Sequence, residues 1–96
     1  MPKAELLFKE RRDLAHNAIM EAVIWAVPSP VPPSSHGLKY SLVYIVDGKR
    51  IIGYDNERGK GDHRHYGQRQ EPYTFSSPEK LMADFLADVR AAGGEV

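Results

Sequence analysis

The sequence predicts an α+β domain in which a small antiparallel β-sheet, built around a central hairpin at residues 38–54, packs against a C-terminal helix over about 78–92. Two observations carry this expectation. Residues 38–46 and 49–54 are rich in β-branched and aromatic side chains, and they flank Asp47-Gly48, a two-residue turn whose positions both tolerate positive φ, as a type I′ hairpin requires. Further on, Leu81, Met82, Phe85, Leu86 and Val89 recur at helical spacing and make an apolar stripe that can lie on a sheet.

Along the chain, residues 4–8 and 18–27 are apolar-rich. The second stretch has the composition of a strand interrupted by Glu21, with a helix as the alternative. The mostly polar run 9–17 between them reads as a hairpin connection or as a short helical continuation from Leu6. Residues 28–37 hold four prolines, each without a backbone donor, so this stretch is an extended loop. Counting outward from Asp47-Gly48 pairs Tyr44 with Ile51, Val43 with Ile52 and Ser41 with Tyr54. That register groups Leu38, Tyr40, Leu42, Tyr44 and Val46 on one face, with Val43, Ile45 and Ile52 on the other. Both faces are partly apolar, which predicts a central hairpin covered on at least one side. Residues 63–66 alternate as a further short strand would. For the helix, Ser76 is the expected N-cap, with Glu79 three residues on and Pro78 in the first turn, and Gly93-Gly94 is the expected stop.

The 96 residues predict a single domain, 1–96, able to bury about 60–65% of its unfolded surface, and they leave no room for a second catalytic domain. A formal charge of zero and a pI near 6.9 exclude a basic field over the whole molecule. Locally, six Lys/Arg face three Asp/Glu between Lys49 and Arg69. With no cysteine, neither a disulfide framework nor a thiolate metal site can form, which fits a reducing cytoplasm. The apolar run 22–27 is far short of the roughly 20 residues that span a bilayer, so a soluble, unprocessed protein with no membrane association is expected.

The segment Tyr54-Asp-Asn-Glu-Arg-Gly-Lys-Gly-Asp-His-Arg-His-Tyr66 concentrates carboxylates, imidazoles, a carboxamide and cations around Gly59 and Gly61. Cleavage of RNA by transesterification needs a base for the 2′-hydroxyl proton, an acid for the leaving 5′-oxygen, and cations for the phosphorane charge. His63 and His65, on one face of a short strand, are the candidate acid–base pair, with Lys60, Arg64 or Arg58 as stabilising cations and Asp62 orienting a histidine. Tyr54, Asn56 and Tyr66 are candidate substrate contacts, since aromatic rings flanking a basic loop can stack on a base. Two other readings stay open. A polar, glycine-rich string can be a solvated loop. His-x-His with Asp62 or Asp55 could hold a metal ion, although neighbouring Lys60 and Arg64 would repel it. No metal or cofactor is expected. His16 and His36 read as surface residues, and Trp25 and Phe85 as core. Arg11-Arg12 reads as a phosphate contact or a solvated turn.

The combination of Lys3-Ala-Glu-Leu-Leu-Phe, a Pro-rich break, a Tyr-rich hairpin, Tyr54-Asp-Asn-Glu, Lys60-Gly-Asp-His-Arg-His65, Glu71-Pro-Tyr-Thr-Phe-Ser-Ser and a C-terminal helix resembles the TumE-like proteins over nearly the whole chain. Lys60, Gly61, Asp62, His63 and His65 carry the most specific part. The resemblance implies the toxin component of a type II toxin–antitoxin module, a cognate antitoxin that is a small helix-turn-helix protein, and growth inhibition by attack on RNA in translation. The leading expectation is a metal-independent ribonuclease. The alternatives are a non-catalytic RNA- or protein-binding module and a metal-dependent hydrolase using the His-x-His pair; an oligomer is compatible with each.

Overall fold

The computed structural model describes residues 3–96. Met1 and Pro2, read above as part of an N-terminus without a targeting signal, lie outside the described residues. Strands β1 (Glu5–Leu14), β2 (Ala18–Ala26), β3 (Leu38–Val46), β4 (Lys49–Glu57), β5 (Gly61–Tyr66) and β6 (Arg69–Pro72) precede one helix, α1 (Pro78–Ala91). The strands form a single antiparallel sheet in sequence order, so the architecture is α+β as expected, with a wider sheet than a hairpin-centred reading implies. Among the described residues, no helix is long and apolar enough to cross a membrane.

Short turns make this meander possible. Asp47 and Gly48 both take positive φ, 51° and 77°, as the type I′ turn demands. The β1–β2 turn uses His16 and Asn17 at φ 64° and 56° and is tied to its neighbour, since Asn17 Nδ2 donates to Asp47 Oδ1 at 2.9 Å. The β1 strand corrects the reading of residues 9–17, because pairing with β2 continues to Leu14 opposite Ala18 and the connection is only three residues long. An edge strand needs backbone partners on one side alone, so charged side chains can occupy both of its faces and also discourage further pairing. That is why its polar sequence hides a strand.

The β3–β4 register is also corrected. Val46 pairs with Lys49 and Ile45 with Arg50, but Tyr44 pairs with Ile52, Val43 with Gly53, Leu42 with Tyr54 and Ser41 with Asp55. Ile51 is therefore a bulge, and beyond it every partner lies one residue later than the turn alone would set. The cause is burial. Uninterrupted alternation would aim Ile51, Gly53 and Asp55 at the core, whereas the extra residue turns Ile52 and Tyr54 inward, where they are 3% and 0% exposed. Ile52 thus shares the face of Tyr44 rather than that of Val43 and Ile45.

The core lies between one sheet face and α1. Met20, Ala22, Ile24, Tyr40, Leu42, Tyr44, Ile52 and Tyr54 meet Leu81, Phe85 and Val89, all buried. Each of the three helix side chains contributes roughly 1.5–3 kcal/mol by leaving water. Among the described residues, no helix lies over the opposite sheet face. Trp25, expected in the core, pairs with Leu6 and Lys39 on that open face and is half-buried.

The helix starts at Pro78 as expected, but its N-cap lies one residue later than Ser76. Ser77 takes extended dihedrals and accepts the Lys80 N–H at 3.1 Å, so Ser77 and not Ser76 is the N-cap, with Pro78 as the first helical residue. At the other end, Gly93 N–H bonds Arg90 O at 3.0 Å and Gly94 N–H bonds Val89 O at 2.8 Å, a Schellman stop with Gly93 at φ 95°. We expect Ser77→Ala to lower the unfolding free energy by about 1 kcal/mol in urea titrations and Ser76→Ala to change it by less than about 0.5 kcal/mol. The reverse order would return the cap to Ser76.

Candidate functional site

Alternation along β4 and β5 sends the residues of the polar segment to opposite faces of the sheet. Tyr54, Asn56, Asp62, Arg64 and Tyr66 point toward the helix side, while Gly53, Asp55, His63 and His65 point to the open side. Cross-strand pairing sets Asp55 beside His63 and Gly53 beside His65. The structure therefore brings the two histidines together with Asp55, and not with Asp62, Arg64 or Tyr54.

The histidine pair is well buried for an uncovered face, with His63 4% and His65 8% exposed, and the rings meet edge to face at 4.7 Å between centroids. His63 Nδ1 lies 2.8 Å from the Gly61 carbonyl, which can only accept, so Nδ1 carries a proton and Nε2 faces Asp55. Asp55 Oδ1 stands 2.6 Å from His63 Nε2, and Asp55 Oδ2 stands 3.6 Å from His65 Nε2. The shorter contact is not aligned as a hydrogen bond. Among the described residues, Asp55 Oδ1 and His65 Nε2 are buried with no hydrogen-bonding partner, at a cost of about 1–3 kcal/mol each. All three donor groups fall within 4.8 Å of one another.

Arg50 completes the cluster, because the bulge carries Gly53 and Asp55 onto the face that Arg50 already occupies opposite Ile45. With Ile51 inserted, Arg50 and Gly53 share the open face, and the Arg50 side chain lies across Gly53: a Cβ on Gly53 would stand 3.0 Å from Arg50 Cδ. Burial lowers the His65 pKa from the ordinary imidazole value, and the nearby Arg50 guanidinium lowers it further.

Two hollows cross the open face. One of about 410 Å³ is bordered by Lys9, Arg11, Glu21, Val23, Ser41 and Val43. The other, of about 230 Å³, is bordered by Val23, Trp25, Lys39, Ser41, Asp55 and Glu57. They share Val23 and Ser41, so they make one track from the β1 edge to Asp55. Arg11 and Arg12 sit on β1 rather than in a turn, near Asp13 and Glu21 and near Glu10 respectively.

The remaining sequence candidates have structural surroundings. Asp62 accepts from Ser34 Oγ, from His36 Nε2 at 2.6 Å and from Tyr40 OH at 2.8 Å. His36, expected at the surface, is thus bonded to Asp62, and its ring stacks on Phe75 at 4.0 Å and on Tyr40 at 6.1 Å. Burial alone would raise the Asp62 pKa, but the bonds from Ser34, His36 and Tyr40 outweigh it and hold the carboxyl below its usual range. Asn56, 1% exposed, accepts Tyr40 N–H at 2.9 Å and donates to Leu38 O at 2.7 Å, extending the ladder past the last β3–β4 pair. Tyr54 OH donates to Asp88, as does Tyr66 OH at 3.0 Å, while Arg64 donates to Glu71 at 2.6 Å and to Tyr54 OH at 3.2 Å. These bonds join β4, β5 and β6 to α1. Burial and the bond to Asp88 raise the Tyr54 pKa. Lys60 is exposed, 3.3 Å from Glu57, and Arg58 is exposed in the β4–β5 turn.

Two members of the cluster had little weight in the sequence reading. Asp55 has a recoverable signal: a turn centred on Gly59 that pairs Glu57 with Gly61 puts Asp55 opposite His63. For Arg50 the turn alone sets its face, but its company with Gly53 and Asp55 depends on the bulge, which no local residue announces.

A meander sheet capped by one helix, with a carboxylate–imidazole cluster on its uncovered face, defines a small α+β protein that keeps titratable groups apart from its core. A family model described as Toxin TumE matches residues 4–92 of the chain. The chain belongs to this family of TumE-like toxins, which makes it the toxin of a toxin–antitoxin system and implies an antitoxin partner. Neither the curated proteins nor the solved structures provide a match.

The Asp62 network has a pH signature. Its folded pKa is lowered, so its contribution is complete above the unfolded carboxyl value of about 3.9 and is lost as pH falls through the folded value. Asp62→Asn is expected to be about 1–3 kcal/mol less stable than the parent at pH 7, with the gap narrowing below about pH 4. Urea unfolding at both pH values measures this, and a gap that does not narrow would remove Asp62 as an ionised anchor.

Proposed function

We propose that this toxin cleaves RNA, with the reaction centred on Asp55, His63 and His65 and with Arg50 as the cation for phosphate. The observation that supports the reading best is the convergence of two buried imidazoles and one carboxylate beside a guanidinium, on the one sheet face no helix covers. In the reaction, a 2′-hydroxyl loses its proton and attacks phosphorus, and the bond to the 5′-oxygen breaks as that oxygen is protonated. Arg50 faces the charge that builds on the phosphorane oxygens.

The open face suits a single strand. Lys9, Arg11 and Lys39 lie along the track to Asp55, and Trp25 on the same face gives a ring for a base to stack on. Relative to the sequence expectation, His63 and His65 keep their central place. Asp55 takes the position assigned to Asp62, and Arg50 the position assigned to Lys60, Arg58 or Arg64. A cytoplasmic location follows from the RNA target and from the antitoxin, for which a small helix-turn-helix protein is the expected form.

Expression without antitoxin should arrest growth, and the purified chain should cleave RNA. His65→Ala and Arg50→Ala should each slow cleavage by about 100-fold or more, while Lys60→Ala and Arg58→Ala stay within about 3-fold. Gly53→Ala, which crowds the Arg50 side chain, should mimic Arg50→Ala in direction. A toxin that arrests growth while RNA stays intact would replace cleavage with binding, and salt-sensitive losses at Lys39 or Arg11 would then locate the bound surface.

A further inference from the structure

We propose that Asp55, His63 and His65 bind a divalent first-row transition-metal cation of the zinc class, the histidines through Nε2 and the aspartate through its carboxylate. The inference concerns the same site as the nuclease reading, but ion binding itself does not depend on that reading.

Four features of the structure point this way. Asp55 Oδ1 lies 2.6 Å from His63 Nε2 and Asp55 Oδ2 3.6 Å from His65 Nε2, both inside the roughly 4.4 Å that can separate two ligands bonded to one ion at up to about 2.2 Å. Two of them, Asp55 Oδ1 and His65 Nε2, are buried without a hydrogen-bonding partner, although native proteins satisfy nearly all such atoms. The His63 Nδ1–H to Gly61 O bond fixes the tautomer that leaves Nε2 with its lone pair toward Asp55, the arrangement by which a ligating histidine is ordinarily oriented. Finally, the site has one open side. His63 and His65 side chains are 5% and 11% exposed, but Asp55 is 28% exposed where it borders the 230 Å³ hollow, which leaves room for a water or a phosphate oxygen on a bound ion.

Hydrogen bonding among the three groups is the competing account. It does not fit, because the 2.6 Å contact from His63 Nε2 to Asp55 Oδ1 is misaligned and the His65 contact at 3.6 Å is too long. Two nitrogen donors and one carboxylate select against magnesium and calcium, which prefer oxygen ligands, and favour zinc, manganese, cobalt or iron. The sequence argument against a metal was repulsion by Lys60 and Arg64. Arg64 points to the helix side, and Lys60 is exposed beside Glu57. Arg50 remains as the near cation, offset by the Asp55 charge, and it would face a phosphate held at the ion.

The test uses the full chain stripped with chelator and then titrated with Co²⁺, read by its visible d–d absorption, with Zn²⁺ as competitor. One equivalent should bind, and Zn²⁺ should displace it. Asp55→Asn, His63→Gln and His65→Gln should each weaken binding by about 100-fold or more, with folding checked by circular dichroism, while Lys60→Ala leaves it unchanged. Arg50→Gln should tighten binding by removing the neighbouring charge. A folded, stripped wild type that takes up neither Co²⁺ nor Zn²⁺ overturns the inference, whatever the variants do. Cleavage of RNA in excess chelator without uptake of metal would do the same and leave the nuclease reading standing. One-equivalent uptake with no RNA cleavage under any metal condition would support the site and sink the nuclease reading.

Discussion

One helix covers one face of this six-stranded sheet, and that limit organises the rest of the molecule. Every strand that contributes to the core must present its apolar residues to α1, so whatever falls at the alternate positions is left on the open face. The bulge at Ile51 is the local device that reconciles the Asp47-Gly48 turn with this demand. It turns Ile52 and Tyr54 inward, and as a direct result it delivers Gly53 and Asp55 to the outward surface that Arg50, His63 and His65 share. The candidate site is in this sense the complement of the core.

Polar groups on the helix side serve attachment. Tyr54 and Tyr66 share Asp88, Tyr73 bonds Asp84 at 2.6 Å, and Arg64 ties Tyr54 to Glu71 on β6. Together they hold α1 over the narrow end of the sheet, where β5 and β6 have few apolar side chains. Asp62 does similar work for the proline-rich loop, gathering Ser34, His36 and Tyr40. Half-buried carboxylates in both networks accept from several donors, so removing an acceptor leaves more than one group unpaired. The open-face cluster is the contrast, since there the acceptor and one imidazole nitrogen lack partners.

Much of this was legible in the sequence. The hairpin turn, the helix stripe, its glycine stop and the strand that sets both histidines on one face follow from local rules of turn chemistry and periodicity. Three things did not follow, each for a physical reason. β1 carries a strand under a polar sequence, because an edge strand is held by backbone bonds and owes nothing to alternation. β6 (Arg69–Pro72) is too short to show a period and exists because Gly67, at φ 61°, allows a tight return from β5. The register of β4 was misread because a bulge leaves no signature in composition; only the competition between Ile51 and Ile52 for the core decides it.

The same reasoning explains why charge density was a good locator and a poor guide to membership. From Tyr54 to Tyr66 the sequence places chemistry-bearing residues nearly side by side, yet a strand separates neighbours across its full thickness. Asp62 is adjacent to His63 in sequence and belongs to another network, whereas Asp55 is eight residues away and touches it. Within β structure, chemical partnership follows cross-strand register, so the carboxylate to seek beside a strand histidine lies on the paired strand, at equal distance from the turn. Applied here, that rule selects Asp55 for His63 and Gly53 for His65. The glycine matters as much as the carboxylate, because the space left by its missing side chain is where Arg50 lies.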